Sequence, residues 1–101
     1  MKKKYNIKHN NYQDSNFQII KCPGHSKDSI SFYFQNLKIM FCGDFIFKNS
    51  IGRMDLEGGN EREMLESLNM ISTYEDNIIL YPGHGDKTTL KEEKRHFKYY
   101  F

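Results

Sequence analysis

The sequence predicts an α+β or layered α/β domain made of one mostly antiparallel sheet and two helices. Three observations lead to this fold class. Short β-prone runs end in turns that contain glycine, two of these runs are close enough to form a hairpin, and two segments carry the capping residues that begin a helix. The resulting order is a strand, a hairpin, a helix, a strand and a second helix, which fits one layered unit.

Length and composition limit the chain to one small domain with a thin hydrophobic core. The chain has 101 residues, of which 38% are hydrophobic, and its formal net charge is +2. Its two cysteines, Cys22 and Cys42, do not form a CxxC motif, which argues against a zinc knuckle or a redox pair. We therefore expect two reduced thiols that are packed in or near the core.

Membrane and nucleic-acid partners are not expected. The longest apolar runs are far shorter than the roughly 20 residues of a membrane span or the roughly seven of a signal-peptide core. We therefore expect a soluble, cytoplasmic protein. Residues 1–16, with the run Lys2 to Lys4, carry a net charge of +3 from four Lys and one Asp, whereas residues 17–90 are slightly acidic. A nucleic-acid binder usually carries its positive charge on a folded face.

The chain divides into a lead-in and a folded part. Residues 1–16 are basic and rich in Asn, with few apolar positions and no sustained period, so we expect a tail or an irregular lead-in. Residues 17–101 are expected to form the domain. Its first strand covers residues 17–21, because the Cys-Pro-Gly sequence that follows stops a strand and begins a turn.

A β-hairpin is expected after this first strand. Residues 30–35 alternate between apolar and polar side chains, and residues 37–42 form a second β-prone run. A tight turn at Asn36 would join them, because Asn tolerates positive φ better than most residues do. Residues 45–59 contain three glycines and no hydrophobic period, so they are expected to form a long loop of functional importance.

Two capping boxes predict the two helices. Asn60 is followed three residues later by Glu63, and Thr89 is followed in the same way by Glu92. Between the helices, residues 77–81 read as a strand that a Pro-Gly pair stops. The apolar stripe expected to face the sheet from the first helix consists of Met64, Leu65, Leu68 and Ile71. The second helix is expected to carry Leu90, Phe97 and Phe101.

Three strand ends carry a potential metal ligand directly after a glycine. A sheet fixes the positions of its strand ends and glycine allows a sharp turn, so such loops often gather the residues of a site. Two imidazoles and one carboxylate suit zinc, manganese or iron. Each residue alone is more often a surface, turn or cap residue, and only their combination predicts a metal site. The three segments are Pro23-Gly24-His25-Ser26, Cys42-Gly43-Asp44 and Pro82-Gly83-His84-Gly85.

Together these segments resemble the C-terminal half of the metallo-β-lactamase fold, in particular that of small glyoxalase II-like hydrolases. The resemblance covers about residues 17–96 and implies half of an αββα sandwich. Besides the segments around His25 and His84, it includes Ser29, the run Gly43-Asp44-Phe45-Ile46-Phe47-Lys48-Asn49-Ser50-Ile51-Gly52-Arg53-Met54-Asp55, the pair Gly59-Asn60, and Tyr81, Thr88, Thr89 and Glu93.

The resemblance implies a site for two metal ions. His25 would bind one ion and His84 the other, and Asp44 would bridge both and serve as the catalytic carboxylate. The ions would be zinc, with iron or manganese as alternatives, and they would activate water to attack the thioester carbonyl of a glutathione adduct such as S-D-lactoylglutathione. Lys48 and Arg53 are candidates for contact with the substrate. A simply exposed side chain is the more ordinary interpretation of Lys48, and a loop-pinning ion pair of Arg53 with Asp55 is at least as ordinary as substrate contact.

The family's first motif, HxHxDH, does not occur in this sequence. In the complete fold that motif supplies the remaining ligands, so His25, Asp44 and His84 would leave each ion with two ligands instead of the usual three or more. After Glu93 the family's Asn-Pro pair is also replaced, by the segment that begins at His96. We therefore expect a fragment or one part of a longer polypeptide, with weak zinc binding and little activity alone.

Two other interpretations remain open. In the first, the chain is a non-catalytic remnant that acts as an interaction module. It would use the sheet face that the missing half of the fold would cover, either to bind such a half or to self-associate. Alternatively, it would belong to an iron-dependent persulfide dioxygenase, a relative within the fold that shares His25, Asp44 and His84.

Overall fold

A computed structural model describes residues 17–101, so the expected tail of residues 1–16 lies outside the described part. A five-stranded sheet with the order β1-β2-β3-β6-β7 is accompanied by a two-stranded ribbon of β4 and β5 and by two helices. The strands are β1 (Gln18–Lys21), β2 (Ile30–Phe34), β3 (Ile39–Gly43), β4 (Ile46–Phe47), β5 (Ser50–Ile51), β6 (Ile79–Pro82) and β7 (Thr88–Thr89), and the helices are α1 (Glu61–Ile71) and α2 (Leu90–Phe97).

The sheet is mixed but mostly antiparallel. Strands β1, β2 and β3 pair antiparallel in sequence, as do β6 and β7, whereas β3 and β6 are parallel and are connected through α1. The predicted fold class, one mostly antiparallel sheet with two helices, is therefore confirmed.

Both predicted caps are present. The side chain of Asn60 accepts a hydrogen bond from the backbone N–H of Glu63, and that of Thr89 accepts one from the N–H of Glu92. These bonds satisfy backbone donors that have no partner within the helix and fix where α1 and α2 begin. The second helix ends at Phe97, so the expectation that it carries Phe101 is wrong.

Both helices pack on the same face of the sheet and form the core there. Met64, Leu68 and Ile71 of α1 are fully buried and join Leu90 of α2 and the inward side chains of the sheet. Leu65 is 39% exposed, so its predicted place in the buried stripe is wrong. The buried face of α1 consists of Met64, Ser67, Leu68 and Ile71, which have the spacing of one side of a helix, and the hydroxyl of Ser67 donates a 2.7 Å hydrogen bond to the carbonyl of Pro23 there.

The predicted hairpin forms, but its turn differs from the expected one. Four residues, 35–38, connect β2 to β3, and the residue with positive φ is Lys38 at 56° rather than Asn36. The Lys38 carbonyl accepts a 2.9 Å hydrogen bond from the N–H of Ile79. The turn therefore connects β2 to β3 and also bonds to the start of β6. This second contact involves a residue far away in the sequence, so the residues of the hairpin alone do not predict it.

The expected long loop of residues 45–59 contains a small β-ribbon. Strands β4 and β5 pair antiparallel, and Asn49 makes the turn with φ of 69°. Phe45 and Ile46 are buried, so the ribbon belongs to the core as well as to the surface. The short strand β7 was also not expected, since its two threonines look like the start of a helix in sequence. No helix within residues 17–101 has the length and apolarity needed to cross a membrane.

Candidate metal centre

The topology brings three glycine-containing turns to one end of the sheet. Strands β1, β3 and β6 run in the same direction, because β1 and β3 are both antiparallel to β2 and β6 is parallel to β3. His25 lies in the turn after β1, Asp44 directly follows β3, and His84 follows β6. The three sequence-predicted ligands are therefore brought together at a single edge.

Asp44 faces both histidines, one with each carboxylate oxygen. Its Oδ2 lies 3.5 Å from Nε2 of His25 and its Oδ1 lies 3.3 Å from Nδ1 of His84. The side chains of His25 and Asp44 are 25% and 39% exposed and that of His84 is 77% exposed, so the site is open to solvent. This arrangement suits a carboxylate that bridges two cations, although the role of the three residues as ligands stays a prediction.

The backbone of the ribbon segment orients His25. Nδ1 of His25 lies 2.9 Å from the carbonyl oxygen of Arg53, and because a carbonyl can only accept, Nδ1 must carry the hydrogen. A neutral His25 then presents the lone pair of Nε2 to the carboxylate of Asp44. The lone pair of Nε2 and the carboxylate oxygen repel each other, and a cation bound between them would remove this repulsion. A hydrogen bond from the other ring nitrogen to a backbone carbonyl is a common way to orient a histidine that binds a metal.

Gly83 allows β3 and β6 to approach each other beside Asp44. Its N–H donates a 2.8 Å hydrogen bond to the carbonyl of Gly43. A Cβ atom at position 83 would stand 3.0 Å from Oδ1 of Asp44, the oxygen that faces His84. A side chain at position 83 would therefore crowd this oxygen, which would have to shift by a few tenths of an ångström to make room.

A buried carboxylate holds the ribbon against the site. Glu93 of α2 is 0% exposed, and its two oxygens accept hydrogen bonds from the hydroxyl of Thr88 at 2.7 Å and the N–H of Asn49 at 3.0 Å. The second bond fixes the turn between β4 and β5. Phe47 of that ribbon lies with its ring 6.0 Å from the ring of His84, so Glu93 helps to place the wall of the site.

The two candidate substrate contacts lie on or next to the ribbon. Lys48 is exposed at its turn. The guanidinium of Arg53 makes two hydrogen bonds to Asp55, of 2.8 and 3.0 Å, and this partner lowers the pKa of the Asp55 carboxyl to about 2. The ion pair supports the loop-pinning interpretation, while a role for either residue in binding substrate stays a prediction.

Comparison with known proteins identifies the family. The model of the metallo-beta-lactamase superfamily matches residues 13–84. The chain belongs to this superfamily. Hydroxyacylglutathione hydrolase GloC of Haemophilus influenzae is 37% identical to it over 81 residues, which are 79% of this chain and 38% of that protein.

Solved structures of the superfamily have the same fold. TTHA1623, solved in a di-iron-bound form, is 33% identical with a TM-score of 0.80, over 86% of this chain and 44% of that one. ETHE1 from Myxococcus xanthus is 36% identical with a TM-score of 0.74, over 80% of this chain and 37% of that one. The chain thus spans less than half the length of these relatives.

His25, Asp44 and His84 have the kinds of ligand atoms that suit metal ions, but they are too few to complete the coordination of two ions. Imidazole nitrogens and a carboxylate are ordinary ligands for zinc or iron. Within residues 17–101, no three His, Cys, Asp or Glu side chains already form a closed set around one position. Two protein ligands for each ion, shared through Asp44, therefore stay a prediction.

The two cysteines lie in the core rather than among the candidate ligands. Both are about 1% exposed, and the Cys42 thiol donates to the carbonyl of Ile46 at 3.4 Å. Burial raises the pKa of Cys42 to about 12 and that of Cys22 to about 11. The expectation of two free thiols packed in the core is confirmed.

We expect both thiols to be unreactive in the folded chain. At pH 8 they stay protonated, because a raised pKa keeps the thiolate fraction negligible until the pH approaches these values. A disulfide reagent such as DTNB should react slowly with the native chain and rapidly with the chain in urea. Fast reaction of either thiol under native conditions would contradict its burial.

Proposed function

We propose that the chain provides one half of the metal site of a glyoxalase II-type hydrolase, which cleaves the thioester of a glutathione adduct such as S-D-lactoylglutathione. In this proposal His25 holds one ion, His84 holds the second, and Asp44 bridges them. The observation that carries it is the position of Asp44, whose two oxygens face two different imidazoles at 3.5 and 3.3 Å. The likeness to hydroxyacylglutathione hydrolase GloC supports this substrate class.

The residues of this chain prepare the site in separate ways. When bound, the ions supply the activation of water and the polarisation of the thioester carbonyl. The Arg53 carbonyl keeps the hydrogen on Nδ1 of His25 and so leaves Nε2 as the ligand atom. Asp44 could contact both ions through its two oxygens, and its negative charge would reduce their mutual repulsion, which a neutral imidazole in its place could not do.

Substrate recognition in this proposal falls to the ribbon. Lys48 and Arg53 carry positive charge on or next to the elements that hold His84 and His25, and glutathione carries carboxylates that such groups can bind. Lys48 is the freer of the two to do so, since the Arg53 guanidinium already makes two hydrogen bonds to Asp55.

We expect the 101-residue chain alone, at concentrations that keep it monomeric, to bind zinc weakly and to hydrolyse S-D-lactoylglutathione hardly at all. Three side chains shared by two ions give each ion about half of an ordinary set of ligands. Adding a polypeptide that carries an HxHxDH segment from the complete fold should restore turnover. The measurement is thioester absorbance with added zinc, and the control is His84→Ala.

The result that would overturn this expectation is equally specific. Substantial turnover by the dilute chain alone, abolished in His84→Ala, would mean that the missing ligands come from residues not recognised in this sequence. Turnover that does not respond to His84→Ala in the restored mixture would remove His84 from the site.

An iron-dependent persulfide dioxygenase is the second candidate. One observation favours it, namely the likeness to ETHE1 from Myxococcus xanthus, at 36% identity and a TM-score of 0.74. The same ligands would serve either reaction and iron suits both, so the reaction that the restored protein catalyses decides between them. Metal analysis of the restored protein, with oxygen consumption on a glutathione persulfide as the assay, separates this reaction from thioester hydrolysis.

A further inference from the structure

The two imidazoles of the candidate metal centre are supported in different ways. Nδ1 of His25 donates a 2.9 Å hydrogen bond to the backbone carbonyl of Arg53. Within residues 17–101, the polar and ring contacts of His84 are the 3.3 Å approach to Asp44 and the ring of Phe47, 6.0 Å away. The orientation of His84 therefore depends on the loop that carries it and on the side chain that packs against its ring.

The loop that carries His84 is held at both ends by the sheet, and at one end by a side chain as well. It comprises residues 83–87, all exposed, between β6 and β7. Its second end leads into Thr88, which pairs with Leu80 of β6 and whose hydroxyl donates a 2.7 Å hydrogen bond to Oε2 of Glu93. A carboxylate of α2 thus fixes where this loop returns to the sheet.

The same carboxylate also holds the turn of the ribbon. Oε1 of Glu93 accepts a 3.0 Å hydrogen bond from the N–H of Asn49, the residue with φ of 69° that turns the chain from β4 to β5. Phe47 stands at the end of β4 beside this turn and pairs with Ser50. The position of the turn therefore decides where the Phe47 ring lies against His84.

We propose that Glu93 is a positioning residue for His84. One of its oxygens fixes the loop that carries His84, and the other fixes the ribbon turn whose Phe47 packs on the His84 ring. A carboxylate suits this task because its two oxygens accept from two donors at once, which an apolar side chain cannot do. The consequence for metal rests on the proposed function: Glu93 sets the affinity for the ion at His84, as supports outside the ligands commonly do.

Glu93 stands on an element that is itself fixed to the sheet. At the start of α2, the N–H of Leu90 donates a 2.9 Å hydrogen bond to the carbonyl of Ile78. The N–H of Lys91 donates one of 3.0 Å to the carbonyl of Asp76. Leu90 and Glu93 are both 0% exposed, although glutamate is rarely buried to this extent without partners. A group on a rigid, buried helix can hold a site more precisely than a group on a loop.

The base of the ribbon is anchored without this carboxylate. The N–H of Gly52 donates a 3.0 Å hydrogen bond to the carbonyl of Phe45, whose side chain is 1% exposed. Arg53, which supports His25, directly follows this base. Loss of the carboxylate should therefore release the surroundings of His84 and leave His25 in place.

The test is NMR spectroscopy of the metal-free 101-residue chain. The nuclear Overhauser effect (NOE) between the ring hydrogens of Phe47 and His84 reports their contact. Glu93→Leu removes both acceptor oxygens and keeps a side chain of similar size. We expect it to abolish this NOE and to shift the ring signals of His84, while those of His25 stay where they are in the native chain.

Two further variants separate positioning from general stability. Glu93→Gln is the rescue variant, because its oxygen can accept from the N–H of Asn49 while its amide group donates to the hydroxyl of Thr88. Lys94→Met is the matched control on the same helix, because it removes a 2.7 Å hydrogen bond to the carbonyl of Tyr74 and leaves the ribbon untouched. The NOE should persist in both.

Zinc added to the same samples tests the consequence for metal. NMR follows weak binding, so the change in the His84 ring signals with zinc concentration gives an apparent affinity. We expect this affinity to be about 10–100-fold lower in Glu93→Leu than in the native chain, the usual effect of losing a support of a ligand. The response of the His25 signals should change much less.

Each outcome has a distinct meaning. An NOE that persists in Glu93→Leu, or that Lys94→Met abolishes equally, overturns the positioning role, and its loss in Glu93→Gln overturns the argument from hydrogen-bond geometry. If circular dichroism shows that Glu93→Leu is unfolded, Thr88→Val takes its place, since it breaks one of the two bonds and keeps the carboxylate. An unchanged NOE and unchanged His84 signals in Thr88→Val overturn the role.

The metal-free and zinc measurements fail separately. Equal zinc affinities of the native chain and Glu93→Leu overturn the consequence for metal alone. Zinc that perturbs neither histidine of the native chain counts against the proposed function, whereas the placement of His84 by Glu93 is decided by the metal-free spectra.

Discussion

Gly24→Ala is expected to unfold the chain or to lower its free energy of unfolding by at least about 4 kcal/mol. Gly24 has φ of 148°, a conformation that residues with a side chain rarely adopt. A Cβ atom there would lie 2.6 Å from Cα and 2.9 Å from N of Met64, both backbone atoms of α1. The helix would have to move away from the sheet.

The same glycine connects the helix to the candidate site. Its carbonyl accepts a 2.8 Å hydrogen bond from the N–H of Asn60, the residue that caps α1, and His25 is its neighbour in the chain. Displacement of α1 would therefore break this bond and move His25 as well. The decrease in the free energy of unfolding can be measured by urea unfolding monitored by circular dichroism.

Gly58→Ala is the control that separates backbone strain from close packing. Gly58 also has positive φ, 90°, but no other atom lies within 4 Å of the position of its Cβ. Alanine at position 58 should cost only the conformational strain, about 1–2 kcal/mol. Equal losses for the two variants would show that α1 does not approach the turn as closely as the structure has it.

Local signals in the sequence were sufficient for most of the fold. The caps at Asn60 and Thr89 are single hydrogen bonds between residues three apart, so they can be recognised without any tertiary information. Leu65 is an exception, because the buried face of α1 is formed by Met64, Ser67, Leu68 and Ile71 and Leu65 lies beside that face. A polar residue belongs to this face, and its partner Pro23 is 44 positions away in the sequence, so Ser67 carries no local signal of its burial.

The candidate site was predictable in its side chains but not in its supports. Glycine turns after strands pointed to His25, Asp44 and His84, because a sheet brings the ends of like-directed strands together. The carbonyl that orients His25 belongs to Arg53, for which the sequence predicts a role of the side chain instead. A backbone group has no signature in the sequence, so its role could emerge only from the structure.

Asp44→Asn is expected to weaken zinc binding by at least about 100-fold, because loss of an outer hydrogen bond to a ligand already costs 10–100-fold and this change removes a ligand from both ions. An amide keeps the size of the carboxylate but carries no charge, so it cannot bridge two cations. Competition with a chromophoric chelator measures the affinity. Because the native chain itself is expected to bind weakly, zinc binding by Asp44→Asn should fall below the limit of detection, and the measured ratio of affinities is then a lower bound.

Asp55→Asn provides the matched control, since it removes one negative charge from a side chain that is 68% exposed and pairs with Arg53. It leaves untouched the contacts of Asp44 with His25 and His84, so zinc affinity should change less than about threefold, as for screened surface charge. Similar losses in both variants would mean that zinc responds to net charge alone, and the bridging role of Asp44 would be wrong. A large loss in Asp44→Asn alone would place the effect at Asp44 itself rather than in the net charge of the chain, as expected for a carboxylate that contacts the ions.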